Sequence, residues 1–213
     1  MRKNNILLIF VSVASLMIFL SCVNLTTPKA KKDIESEFIK RAEAILKLIA
    51  SSDFEALSKF VYENRGLQFS PYDQEELIKI NSTKYANREA NITTFSTKQV
   101  ADFMLMKQTY VWGNYDGIGD QIKLTPKQYY KEFIYDIDFL SKAQAYYINN
   151  EKLRKSKLFK YICKIYPASN LVQYDYRGTK ETGFNDFKRL YLIFEHIDKQ
   201  WFIVGIVHGE KTV

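Results

Sequence analysis

The side chains best able to do chemistry in this 213-residue chain are few and scattered. Its two histidines, His196 and His208, both fall late, inside two apolar runs. Pairing those runs through a two-residue turn at Asp198-Lys199 sets His196 opposite Trp201 and His208 opposite Arg189. The two rings then stand at opposite ends of a hairpin, too far apart to hold one metal ion between them. His208 with Asp116 would form an acid–base dyad if the fold brought them together. Asp136 and Asp138, spaced i and i+2, do not share a helix face; a helix end followed by a turn accounts for them more simply. No Gly-x-Ser-x-Gly elbow, Gly-x-x-x-x-Gly-Lys loop or Gly-x-Gly-x-x-Gly turn occurs, so neither a serine hydrolase nor a nucleotide cradle has support. No metal and no cofactor is expected.

Trp112–Gly119 is the best candidate contact surface. Gly113, Gly117 and Gly119 permit close approach, Trp112 and Tyr115 offer flat faces with polar edges, and Asp116 offers a carboxylate. With His208 these form the candidate ligand-binding set, suited to a sugar or peptide. The structural alternative is a turn in which Trp112 plugs the core and Asp116 accepts backbone N–H groups. A second candidate is Glu151–Lys164, with six basic residues against one acid and Phe159 and Tyr161 interleaved. It could grip an anionic glycan or lipid head groups. It also reads as an ordinary amphipathic surface helix, with Phe159, Ile162, Cys163 and Tyr166 inward and Lys157, Lys160 and Lys164 outward.

The N-terminus carries an address. Arg2 and Lys3 precede an uncharged apolar run from Ile6 to Leu20, the shape of a secretory signal and short of the ~20 residues a spanning helix wants. Phe19-Leu20-Ser21-Cys22 resembles a bacterial lipobox, with Ser21 in the small position and Phe19 where Leu is usual. The resemblance implies cleavage before Cys22 and diacylglycerol on its sulfur, with further acylation such as palmitate at the new amine. Two or more acyl chains hold a protein stably on a membrane. The expected division is therefore a signal segment at 1–21, a lipidated flexible tether at 22–32 and one domain at 33–213. Localisation follows: exported and lipid-anchored to a bacterial membrane, on the outer membrane or cell surface where the cell has two. Partners would then be the membrane and an anionic glycan or an envelope or host protein, and nucleic acid is excluded. With Cys22 lipidated, Cys163 has no partner, which rules out a disulfide framework.

These sites need a scaffold. Fifteen Tyr, 15 Phe and 2 Trp argue for a packed fold rather than disorder. The net charge is +7, but lysine, isoleucine and asparagine share A/T-rich codons, so part of it reflects composition. Apolar spacing predicts a helix over 33–50, capped by Asp33. Capping boxes are predicted at Ser52–Glu55 and Ser96–Gln99, and a helix start at Thr125-Pro126 with Gln128. Leu67–Phe69 is expected to be extended and 73–95 to be a polar excursion. The period then changes to two: Leu171–Tyr176, Leu190–Ile197 and Trp201–His208 predict strands, and both hairpin faces are apolar, so the hairpin should lie centrally. The expected class is α+β, with N-terminal helices packed on a C-terminal curved antiparallel sheet and an NTF2-like cone as its shape.

Several strings recur together: Phe69-Ser70-Pro71-Tyr72, Trp112-Gly113 with Asp116-Gly117, and Leu190–Glu195 followed by Trp201, Val204-Gly205-Ile206 and His208. Over residues 54–208 the chain resembles a family of uncharacterised bacterial exported proteins and lipoproteins that share F-S-P-Y, W-G-x-x-D-G and a terminal L-x-F-E…W-x-x-V-G-I-x-H hairpin. It departs at Tyr62–Gly66, where a His-Pro pair before the Gly is usual, and after His208, where a Trp often follows. The resemblance implies export and one compact domain, and no particular reaction. A non-enzymatic binding module is therefore expected, with a pocket enzyme using an Asp/His pair as the alternative.

Overall fold

The computed structural model describes residues 28–73, 93–115 and 119–211. Cys22, the expected signal segment at 1–21 and Asp116 lie outside them. Helix α1 (Pro28–Ala50) buries Phe38, Ala42, Ile45, Leu46 and Ile49 along one stripe, as its 3.6-residue period requires. It begins at Pro28 rather than Asp33, so residues 28–32, expected in the tether, are helical. Proline suits a first turn because its missing N–H would have no partner there. Ser52, at φ 59°, closes α1. The next cap is therefore Asp53, whose carboxylate accepts the Ala56 N–H at 2.9 Å, and not Ser52 as expected; it opens α2 (Phe54–Ser58).

β1 (Leu67–Ser70) and β2 (Thr93–Phe95) lead to α3 (Thr97–Ala101), and β3 (Tyr110–Asn114) pairs with β4 (Gln121–Leu124) as a separate ribbon. The capping boxes Ser96/Gln99 and Thr125/Gln128 both form. The second starts α4 (Pro126–Tyr129), which continues as a π-helical turn over 130–134 and is followed by α5 (Phe139–Lys142). β5 (Gln144–Ile148), α6 (Asn150–Lys155), α7 (Lys160–Ile165), β6 (Asn170–Tyr176), β7 (Lys188–Ile197) and β8 (Gln200–Glu210) complete the described chain. Among the described residues no helix is long and apolar enough to cross a membrane.

The class is α+β, but the sheet is mixed rather than antiparallel. Its six strands run β2-β1-β8-β7-β6-β5, and β1 lies parallel to β8. The N-terminal half thus contributes two strands. Leu67, Phe69 and Ser70 of β1 are all buried, so pairing with β8 both satisfies the strand's backbone and covers its side chains. The long hairpin is central, as its two apolar faces demand. Its turn residues Asp198 and Lys199 both have positive φ, 47° and 66°, the conformation that matches the twist of the flanking strands.

One detail of register matters for the site. His196 faces Trp201 as expected, but Ile193 faces Gly205 while Phe194 faces Ile203. Val204 is the extra residue of a β-bulge, so His208 faces Leu190 rather than Arg189. A one-residue slip moves a side chain to the other face of a sheet. The bulge therefore puts His208 with Leu190 and Leu192, on the face of the larger core beside α1 and the π turn. The opposite face carries the smaller core, where Leu153, Phe159, Ile162 and Tyr166 cover Tyr191, Ile193 and Val207. Gly205 lets Tyr166 in: a Cβ there would lie 2.7 Å from the Tyr166 hydroxyl. α6 and α7 thus form a second helical layer across the sheet from α1.

Candidate functional site

Of the residues singled out in the sequence, Asp116 lies outside the described residues, and Tyr115 and His208 both meet the Phe133 ring, at 6.3 and 5.7 Å. His196 is exposed on the hairpin, with its ring 5.0 Å from that of Trp201. Trp112 is 1% exposed and belongs to strand β3, not to a loop. Its ring stacks on Tyr129 at 3.7 Å, and its Nε1–H donates to the Leu124 carbonyl at 2.9 Å. The flat face expected to meet a ligand is spent on the core. Tyr115 is half-buried and donates its hydroxyl to Glu132 at 2.9 Å. Burial, followed by the neighbouring Glu132 carboxylate, pushes its phenol up to about 12. Asp138 caps α5 by accepting the Ser141 N–H, so it starts a helix rather than ending one.

His208 is fully buried, and its carboxylate partner is Asp136. Nε2 lies 3.3 Å from Asp136 Oδ2, and Nδ1 lies 3.3 Å from the Pro71 carbonyl oxygen. Both neighbours are oxygen acceptors, one on each side of the ring. Lys188 Nζ sits 2.9 Å from the same Asp136 oxygen and also bonds Glu210. Burial works against the Asp136 carboxylate, but hydrogen bonds and charge from His208 and Lys188 win and hold its carboxyl below the usual range. Atoms of Asp136, His208 and Glu210 lie within 4.8 Å of one another, a spacing that could suit a cation. That role is filled from within the chain: the Lys188 ammonium bonds both carboxylates, and a metal ion would have to displace it.

Across the sheet a second polar group forms. Tyr191 donates its hydroxyl to Asp73 Oδ2 at 2.7 Å, and Arg189 Nε donates to Asp175 at 2.9 Å with its guanidinium over the Phe187 ring. Burial raises the Asp73 carboxyl, only partly offset by the Tyr191 bond and the Arg189 charge. Gly209 makes this contact possible, because a Cβ there would stand 2.5 Å from Asp73 Oδ2.

These groups border a cavity of about 270 Å³ lined by Asp73, Arg189, Glu210, Tyr161, Lys157 and Lys160, among others. Lys157 and Lys160 also line a neighbouring cleft of about 430 Å³ between α6 and α7, with Arg154, Lys155 and Lys164. Among the described residues, five cations and no acid line that cleft. Glu151–Lys164, read from sequence as one helix, is two short helices broken at Ser156, and the break creates the cleft. The alternating lysines were visible in the sequence; the break and the contribution of Asp73, Arg189 and Glu210 from distant segments were not.

The fold and site define a two-faced α+β domain with a cavity of mixed charge and a neighbouring basic cleft on its α6–α7 side. No family model, curated protein or solved structure matches the chain.

Proposed function

We propose that this chain is an exported lipoprotein, tethered through Cys22, whose domain is a non-enzymatic binding module for an anionic partner. The observation that carries the binding site is the pairing of cavity and cleft through Lys157 and Lys160, with five cations along the cleft. Cations on a concave surface focus a positive field that attracts anionic ligands. An envelope glycan, a peptide and a protein partner all fall within that description. The proposed lipoprotein family and the NTF2-like cone belong to the same reading. The family rests on the strings at Phe69–Tyr72, Trp112–Gly117 and Leu190–His208. The cone is supported by α1 packing against β5 and β6 on one face of the sheet.

The Asp/His pocket enzyme is the weaker reading. His208 has no exposed surface and its carboxylate partner, Asp136, also bonds Lys188, so the ring serves the packing of β8 against the π turn.

Two measurements test the proposal. Mass spectrometry of the native product is expected to show an N-terminal Cys22 carrying acyl chains; an intact Met1 end would overturn the tether. Titration with the sulfated glycan heparin is expected to show salt-sensitive binding. The Lys157→Gln/Lys160→Gln double variant should weaken it about tenfold, and Lys123→Gln on β4 should leave it unchanged. No binding, or equal loss in both variants, would overturn the site.

A further inference from the structure

The basic face holds an exposed apolar residue as well as charge. Leu158, in the break between α6 and α7, is 61% exposed. Lys157 precedes it, Lys155 and Lys160 lie close in sequence, and all three are exposed. Its neighbour Phe159 is 8% exposed and anchors the segment in the smaller core, so Leu158 projects from a fixed base. An exposed leucine that shares a cavity lining with Lys157 and Lys160 fits the boundary between lipid head groups and acyl chains, where apolar side chains enter and cations meet phosphate. A soluble glycan has no use for the leucine.

The point where the tether joins the domain lies at this same end. Lys31, Ile34 and Glu35 in the early part of α1 share a depression of about 260 Å³ with Asn149, Glu151 and Lys152 at the start of α6. α6 has six residues, which makes it about 9 Å long. Five residues lie between Cys22 and Pro28, and the six backbone steps joining them span about 20 Å at full stretch. A lipid on Cys22 would therefore keep the α6–α7 face within reach of the bilayer that holds it.

We infer that the α6–α7 face docks on anionic phospholipid, with Leu158 entering the head-group boundary and the cleft cations contacting lipid phosphates. The inference rests on the anion-binding reading and names the ligand of that site. It orients the domain: α6 and α7 face the bilayer, and the outer side of the β3–β4 ribbon, with exposed Val111 and Lys123, is left to the aqueous side.

The test is vesicle co-sedimentation of residues 23–213. Every described residue of both cores lies between Phe38 and Val207, so this fragment keeps them all. Binding to phosphatidylglycerol-rich vesicles is expected, with little binding to phosphatidylcholine alone and release at high salt. Lys157→Gln/Lys164→Gln should weaken binding at least tenfold, at roughly fivefold per cation near an anionic surface. Leu158→Ser should weaken it several-fold without changing its salt dependence. All three positions are exposed, and an unchanged thermal melt checks folding. Heparin binding without vesicle binding would overturn the bilayer and leave the anion site standing. Binding to neither would overturn both. Vesicle binding unchanged in both variants would overturn the assignment of this face.

Discussion

Trp112→Ala is expected to cost about 3–5 kcal/mol of unfolding free energy, the range for removing a large buried aromatic side chain. The ring is 1% exposed and stacked on Tyr129. It also meets the rings of Phe95, Phe69 and Phe103 at 5.4–6.1 Å. Removing it opens a void in the densest aromatic cluster of the larger core and frees the Leu124 carbonyl from its hydrogen bond. Trp112→Phe keeps a ring but loses that bond, and should cost less, about 1–2 kcal/mol. Urea unfolding of the three proteins checks the order. The result bears on function, because a glycine- and aromatic-rich string invites the view that Trp112 touches a ligand. At equal folded fraction, the variants should bind an anionic partner as the parent does. Parent-like stability in Trp112→Ala combined with lost binding would restore Trp112 to the ligand surface.

Lys188→Met is expected to cost about 2–4 kcal/mol, because it takes the shared cation from Asp136 and Glu210 and leaves two carboxylates near one another, with His208 still bonded to Asp136. Asp136 is 10% exposed and Lys188 24%, so solvent recovers only part of the loss. The pH dependence separates this from a packing defect. The Asp136 carboxyl is held below its ordinary value in the fold, despite its burial, by His208 and Lys188. Its contribution is therefore complete above the unfolded value of about 3.9 and is lost as the pH falls through the lower, folded value. Burial opposes the Lys188 ammonium, but its bonds to Glu210 and Asp136 raise it. Its contribution holds below its ordinary 10.5 and is lost as the pH rises through the higher, folded value. The parent should thus lose stability at both extremes. Lys188→Met should have a flatter acid limb and lack the alkaline loss from this group. Denaturant midpoints at acid, neutral and alkaline pH are the measurement; a uniform drop with parallel limbs would mean the ion cluster contributes little.

Local signals in the sequence were reliable where the physics is local. Thr125-Pro126 with Gln128 specifies a helix start through bonds among neighbours, and it forms. The two apolar faces of the hairpin required cover on both sides, and the larger core beside α1 and the smaller core under α6 and α7 supply it. Ser52 failed because α1 closes through it in a left-handed conformation, leaving Asp53 to cap. Trp112 was ambiguous because glycines among aromatics serve a ligand loop and a tight ribbon equally well. The His208–Asp136 contact was out of reach for a different reason. It joins residues 72 apart and depends on a bulge at Val204 that shifts the hairpin register by one. In the sequence, Asp136 has Asp138 as its nearest carboxylate neighbour to suggest a role. The basic segment was legible as charge, but its cleft exists only because Ser156 interrupts the helix.

Hydrogen–deuterium exchange with and without heparin tests the central claim most directly, since it reports where the anionic partner lies. Protection should appear over 150–165, at the two short basic helices, and around Arg189 and Glu210 at the cavity rim. Protection confined to 110–124, with the basic helices exchanging as in the free protein, would contradict the account and return the site to the aromatic ribbon.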